Sequence, residues 1–232
     1  MVGCAFRTPP HPLGVTRMPG EAVAALAADV ATAHPDLPGV LGPEATASAF
    51  ADVWAGRNGD QSRLAMRQTI YSLEALSHPD PYPPGRLRRA GPEHAELAVR
   101  WMQAFQDEVA MPAADPRART EGLIVAGDLF LWEEGEPRTM AAVTARTPHG
   151  ARIGFVYTSP EARGRGYGSA ASAALTARVL KEGARFCFLH ADRDNAVSNA
   201  IYRRLGYQPV CDMVDIRFEA PARSRGVGSS VG

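Results

Sequence analysis

Between Ile153 and Glu182 a strand pattern runs through a glycine-rich turn directly into a helix pattern, and few folds accommodate that succession. Ile153, Phe155 and Tyr157 alternate with Gly154, Val156 and Thr158, a period of two that places alternate side chains on opposite faces of a strand. Ser159-Pro160 ends the ladder, because proline has no N–H to donate and biases the residue before it. Arg163-Gly164-Arg165-Gly166-Tyr167-Gly168 follows, and a helical run then continues from Ser169 to Glu182. Such a turn aims several backbone N–H groups at one spot, where the helix dipole adds partial positive charge. A phosphate or pyrophosphate fits there. The alternative is a turn with no ligand, since glycine is common at strand-to-helix turns for steric reasons.

The spacing separates three phosphate loops. A P-loop needs a lysine within the turn, and the only lysine of the chain is Lys181. A dinucleotide fingerprint needs Gly-x-Gly-x-x-Gly, whereas the last glycine of Gly164-x-Gly166-x-Gly168 comes one residue early. The pattern Pro160-Glu161-x-Arg163-x-x-Gly166-x-Gly168 resembles the acyl-CoA pyrophosphate loop of the GNAT superfamily of N-acetyltransferases. A second stretch, from Asp194-Asn195-Ala196 through Tyr202 to Leu205-Gly206-Tyr207, is similar to that family's strand-5 to helix-4 segment. The architecture matches over about residues 86–218 and the motifs over 154–207.

The resemblance implies an α/β (α+β) fold: a mixed, mostly antiparallel sheet with helices on both faces. It implies acetyl-CoA as co-substrate, with no metal, lying in a V-shaped gap where the central strand splays from the next. Val156, Tyr157 and Thr158 would offer backbone groups to the pantetheine. Arg163, Gly164, Arg165, Gly166, Tyr167, Gly168 and Ser169 would surround the pyrophosphate, the arginines adding charge and Gly166 and Gly168 avoiding a Cβ or a forbidden dihedral. Asn195 and Ser198 or Asn199 would contact the pantetheine, a helix cap being the other reading of Asn195. Tyr202 would be the acid that protonates the departing thiolate, since a phenol titrates near ~10; a packed core aromatic is its alternative. Some members carry a glutamate near the start of the central strand, and here that position is Arg152. The base is then a water relayed to solvent, or a residue such as His190 or Asp192, and the arginine could favour an acidic group on the substrate.

Charge and composition narrow the partners. The 25 basic and 25 acidic residues cancel and form no basic block, which argues against an extended nucleic-acid footprint. No run reaches the ~18 apolar residues of a membrane span, and no apolar leader precedes Cys4, so the chain reads as soluble and cytoplasmic. Three widely spaced cysteines indicate neither a zinc site nor a disulfide framework.

Along the chain, a short strand is expected at Gly3–Thr8 and helices at Glu21–Ala33 and Glu44–Ala55, separated by a Pro/Gly segment, His34–Pro43. A strand follows over Arg63–Leu76, and four prolines in His78–Gly85 mark a linker. The expected division is therefore 1–76 as a degenerate half-domain or cap, 77–85 as linker, 86–219 as the acetyltransferase domain and 220–232 as a disordered tail. The half-domain would extend the sheet and line the acceptor site; an independent cap, or a surface for a homodimer, is the alternative. The leading function is acetyl transfer to a primary amine of a small molecule, by direct attack through a tetrahedral intermediate. The competing one is a catalytically silent acyl-CoA-binding or sensing protein.

Overall fold

The computed structural model describes residues 2–109 and 114–219; the tail expected at 220–232 lies outside the described residues. Two compact units are present, the first built from the chain up to Gln68 together with the chain from Cys211, the second from Thr69–Val210. Among the described residues no helix is long and apolar enough to cross a membrane.

In the first unit β1 (Ala5–Phe6) pairs antiparallel with β2 (Leu13–Val15), and α1 (Gly20–Ala33) returns the chain to β3 (Gly39–Pro43), which is parallel to β2. Helix α2 (Glu44–Asn58) leads into β4 (Gln61–Leu73). The far edge of β3 is closed by β10 (Gln208–Glu219), antiparallel, from Met213 opposite Pro43 to Arg217 opposite Gly39. Val23, Ala27 and Val30 of α1 and Ala47, Phe50 and Trp54 of α2 bury their apolar face against Val40, Val214 and Ile216. The rings of Phe50, Trp54 and Phe218 stack, Trp54 and Phe218 at 5.4 Å. The expected strand at Gly3–Thr8 contracts to two residues, and the segment read as Pro/Gly-rich contains β3. A five-residue strand holding two glycines and a proline carries no alternation; its neighbours on both sides make it a strand.

In the second unit β5 (Arg86–Arg89) is followed by α3 (Ala95–Glu108) and α4 (Pro116–Ala126). Then come β6 (Leu129–Glu134), β7 (Glu136–Arg146) and β8 (Gly150–Thr158), each antiparallel to the strand before it. Helix α5 (Tyr167–Lys181) carries the chain to β9 (Phe186–Asp192), parallel to β8, and α6 (Ala196–Arg204) leads to β10. The strand order is β4-β9-β8-β7-β6-β5. Ala171, Leu175 and Val179 of α5 pack on one face with Val143, Ile153 and Leu189. Ala98, Trp101 and Met102 of α3 cover the other with Leu131, Met140 and Tyr157. The expected mixed sheet with helices on both faces is what this unit has.

The expected division at 77–85 needs correction, because the units part within β4 and within β10. The proline-rich segment belongs to the second unit: Tyr82 packs on Trp132 at 5.6 Å, and Trp132 Nε1 donates to the Pro84 carbonyl at 3.0 Å. Composition marks prolines as a break but cannot say which core an apolar strand enters. Tyr71 and Leu73, both fully buried, enter the second. The path β2–α1–β3–α2–β4 also recurs as β8–α5–β9–α6–β10, with the first two strands parallel each time. The first copy turns from β2 to α1 through Thr16-Arg17-Met18-Pro19, with no glycine loop.

Candidate functional site

The site begins with a failure of strand pairing. Strands β8 and β9 pair only from Gly150–Arg152 to Phe186–Phe188. Beyond Arg152 the β9-facing edge of β8 has no ladder among the described residues, while its other edge stays paired with β7 as far as Thr139 opposite Thr158. Register shifts between Met140 and Ala142, and Phe155 adopts φ 51°, a left-handed conformation that is costly for an aromatic residue. The Phe105 ring meets Phe155 edge-on at 5.6 Å, and the Arg119 guanidinium lies 5.4 Å from its centroid. This bulge turns β8 away from β9 and leaves backbone N–H and C=O groups facing a cavity of about 760 Å³.

The glycine turn closes one end of that cavity. Gly166, at φ 84°, is the N-cap of α5 and supplies no side-chain cap. The first hydrogen bond within the helix runs from Ala170 N to Gly166 O, so the N–H groups of Tyr167, Gly168 and Ser169 have no intrahelical acceptor. They point where an anion would gain both hydrogen bonds and the helix dipole. Gly168 has an ordinary φ, so the dihedral argument does not apply to it. A Cβ there would stand 3.1 Å from Thr158 Oγ1, and close packing against β8 is its reason.

Of the residues expected at the site, Val156, Tyr157, Thr158, Arg163, Gly164, Gly166, Tyr167, Gly168, Ser169, Asn195, Ser198 and Tyr202 line this cavity. Arg165 and Asn199 do not. Arg165 Nη2 pairs with Glu134 at 3.2 Å, a carboxylate that also accepts from the Tyr167 hydroxyl. Arg163 pairs with Glu108 at 2.5 Å and donates to the Thr158 carbonyl. The two arginines, expected to add charge at the pyrophosphate, therefore bring that charge already matched by carboxylates. Asn199 is buried behind the wall: its Nδ2 donates to the Asp192 and Asn195 carbonyls at 2.8 Å, and its Oδ1 accepts from the Tyr71 hydroxyl at 2.8 Å. It braces the turn that presents Asn195, whose own Oδ1 caps α6 by accepting from Ser198 N.

Tyr202 sits between the rings of Tyr71 and Tyr207, at 6.5 and 5.9 Å, and faces the cavity. Burial pushes its pKa up to about 12, so the phenol is protonated across the neutral range. His190 and Asp192 also line the cavity. Desolvation, with the nearby Arg152 charge, holds the His190 imidazole down at about 4, so the ring is neutral at pH 7. Sequence reasoning passed over Ser172, a residue of the cavity wall whose buried hydroxyl has no hydrogen-bond partner among the described residues. The signal available was a serine three residues after Ser169 on a helix otherwise rich in alanine.

Residues 131–215 match the family model described as FR47-like protein, a stretch that contains both motif-bearing turns. No curated protein matches the chain. Among solved structures, a GCN5-related N-acetyltransferase from Sphaerobacter thermophilus aligns at TM-score 0.64 and 16% identity, over 94% of this chain and 75% of that one. A GCN5-related N-acetyltransferase from Kribbella flavida aligns at TM-score 0.58 and 22% identity, over 88% and 80%. The chain has the fold of the GNAT acetyltransferases. A tandem GNAT protein from the clavulanic acid biosynthesis pathway shares the fold at TM-score 0.54 and 16% identity, over 94% of this chain and 78% of that one. In this chain the two signatures are the β8–α5 and β9–α6 turns, and they face one cavity from opposite sides of the splay.

Proposed function

We propose that the chain is an acetyl-CoA-dependent N-acetyltransferase acting on a primary amine of a small molecule. The observation that carries this reading is a single cavity uniting three features: the unpaired edge of β8, the uncapped N-terminus of α5 and the Tyr202 phenol. The donor fits what is there. The Val156 backbone groups and the Thr158 N–H, on the edge of β8 without a strand partner, suit the pantetheine amides as a substitute strand. The glycine turn suits a pyrophosphate, and the buried, unpartnered Ser172 hydroxyl suits a hydrogen bond from within the cavity.

Acetyl-CoA supplies the acyl group: the amine lone pair attacks the thioester carbon, the C–N bond forms, the C–S bond breaks, and coenzyme A leaves as the thiol. The proton that the thiolate needs comes from Tyr202, whose phenol is held in its protonated form by burial. The acceptor ammonium loses one proton to solvent before it attacks, and the second, released from nitrogen as the amide forms, returns through water to the Tyr202 phenolate. His190, its pKa held down, is a poor resting place for that proton and is placed to relay it through water.

In a thermal-shift assay acetyl-CoA should stabilise the protein while ATP and NAD do not. Gly166→Asp or Gly168→Asp should abolish that stabilisation, by placing bulk and negative charge at the anion end. Stabilisation that survives in both variants would remove the donor from this loop. Ser172→Ala gives a finer test. Deleting a buried hydroxyl without a partner should leave the melting temperature of the free protein unchanged or slightly raised. Acetyl-CoA affinity should meanwhile fall by about 3–10-fold, the weight of one neutral hydrogen bond. A variant that melts earlier yet binds acetyl-CoA normally would show that the hydroxyl serves the fold alone. Binding without thiol release on any acceptor would favour the silent acyl-CoA-sensing alternative.

A further inference from the structure

Beyond the donor site, two guanidinium groups that the chemistry above leaves unused stand beside residues that line the cavity. Arg152 stands on β8 opposite Phe188, and paired residues of parallel strands share a face. His190, two residues along β9, therefore lies on that face as well, its ring 6.5 Å from that of Phe188. Gly154, the next residue of β8 after Arg152 and Ile153, adds no side chain and lines the cavity, as His190 and Phe155 do. Arg119 reaches the same region from α4 and stacks on Phe155. Its charge acts on Arg152, and that of Arg152 acts on His190, so the three groups form one cluster.

The cluster differs from the arginines around the glycine turn, which are matched by Glu108 and Glu134. Among the described residues neither Arg152 nor Arg119 has a carboxylate within 4 Å. Arg152 Nε donates to Thr144 Oγ1 at 2.6 Å, which fixes the side chain and leaves its terminal N–H groups uncommitted. His190 is neutral and does not balance them, and Asp192, the acid nearest in sequence on β9, accepts instead from Asp194 N. Two half-buried cations held together without counter-charge are costly unless something anionic joins them. The planar fork of arginine matches a carboxylate in particular.

We propose that Arg152 and Arg119 form an anion site on the acceptor side of the cavity, so that the accepted amine carries a carboxylate, as an amino acid does. This specificity rests on the acetyl-transfer reading, but the site itself is a matter of charge and can be tested apart from turnover. Thiol release would be measured with the full chain on a panel of L-amino acids and their matched carboxamides. The acids should exceed the carboxamides about tenfold or more in kcat/KM. Arg152→Gln and Arg119→Gln should each raise KM for the acids about 10–100-fold, the range for losing a hydrogen bond to a charged group. The acid-to-amide ratio should fall toward one while acetyl-CoA affinity is retained, and Arg152→Lys should recover part of the preference. Carboxamides used as well as acids, or a preference that survives both glutamine variants, would overturn the proposal. Should no acceptor release thiol, the transfer reading fails by itself, and calorimetry of the same acids on the coenzyme A complex decides the anion site. Binding that disappears in the glutamine variants upholds it. No binding by the parent protein overturns it.

Discussion

Neither residues 1–76 nor residues 86–219, expressed alone, will give a cooperatively folded protein. The first fragment lacks β10, so β3 loses the strand paired with it from Met213 to Arg217, and the core loses Val214, Ile216 and the Phe218 ring stacked on Trp54. The second lacks Tyr71 and Leu73, both fully buried, together with the hydroxyl that anchors Asn199. A buried side chain of that size contributes ~1.5–3 kcal/mol, so two or three of them rival the whole ~5–15 kcal/mol that holds a domain folded. Circular dichroism melts of the fragments should show broad or absent transitions. Co-expression of 1–76 with 77–232 should restore the melt of the intact chain, because every strand is then present. A sharp melt and acetyl-CoA binding by 86–219 alone would overturn this account.

Tyr202→Phe should lower turnover by about 10²–10⁴, the usual range for a general acid. Acetyl-CoA affinity and melting temperature should change little, because the ring keeps its contacts with Tyr71 and Tyr207. A phenol raised to about 12 is a weaker acid than a solvated thiol of pKa ~8.5, a difference that by itself opposes the transfer. The burial that raises the phenol also raises a thiolate formed beside it, and the two are thereby brought closer. Two measurements follow. No alkaline limb in kcat from Tyr202 itself should appear below about pH 11. The defect of the variant should also shrink with acyl donors whose leaving thiols are more acidic. Normal turnover by Tyr202→Phe, or a loss fully explained by early melting, would make Tyr202 a core aromatic only.

What could be read from the sequence divides along a physical line. The β8–α5 turn was legible because Gly166 needs a left-handed φ, a local demand that leaves a local mark. The stripe Ala171, Leu175, Val179 was legible for the same kind of reason, since helical period is written in neighbours. Strands β2 and β3 were not, because they are short and exist through pairing with distant chain. The matching of Arg163 by Glu108 and of Arg165 by Glu134 was also hidden, since those partners lie 55 and 31 residues away. The Ser172 hydroxyl looked ordinary in sequence; only its burial without a partner singles it out.

The late closure of the first unit also has a consequence during synthesis. Strand β3 leaves the ribosome well over a hundred residues before Met213 to Arg217 arrive to cover its edge. At ~5–20 residues per second that interval is roughly ten seconds or longer. Throughout it, the nascent chain displays unpaired strand N–H and C=O groups beside apolar residues such as Val40, which in the finished protein is fully buried. Open edges of this kind template pairing with other chains. The yield of this protein in a cell should therefore depend on how quickly translation proceeds from β3 to β10, and synonymous codons that slow that stretch should increase the insoluble fraction without altering a residue.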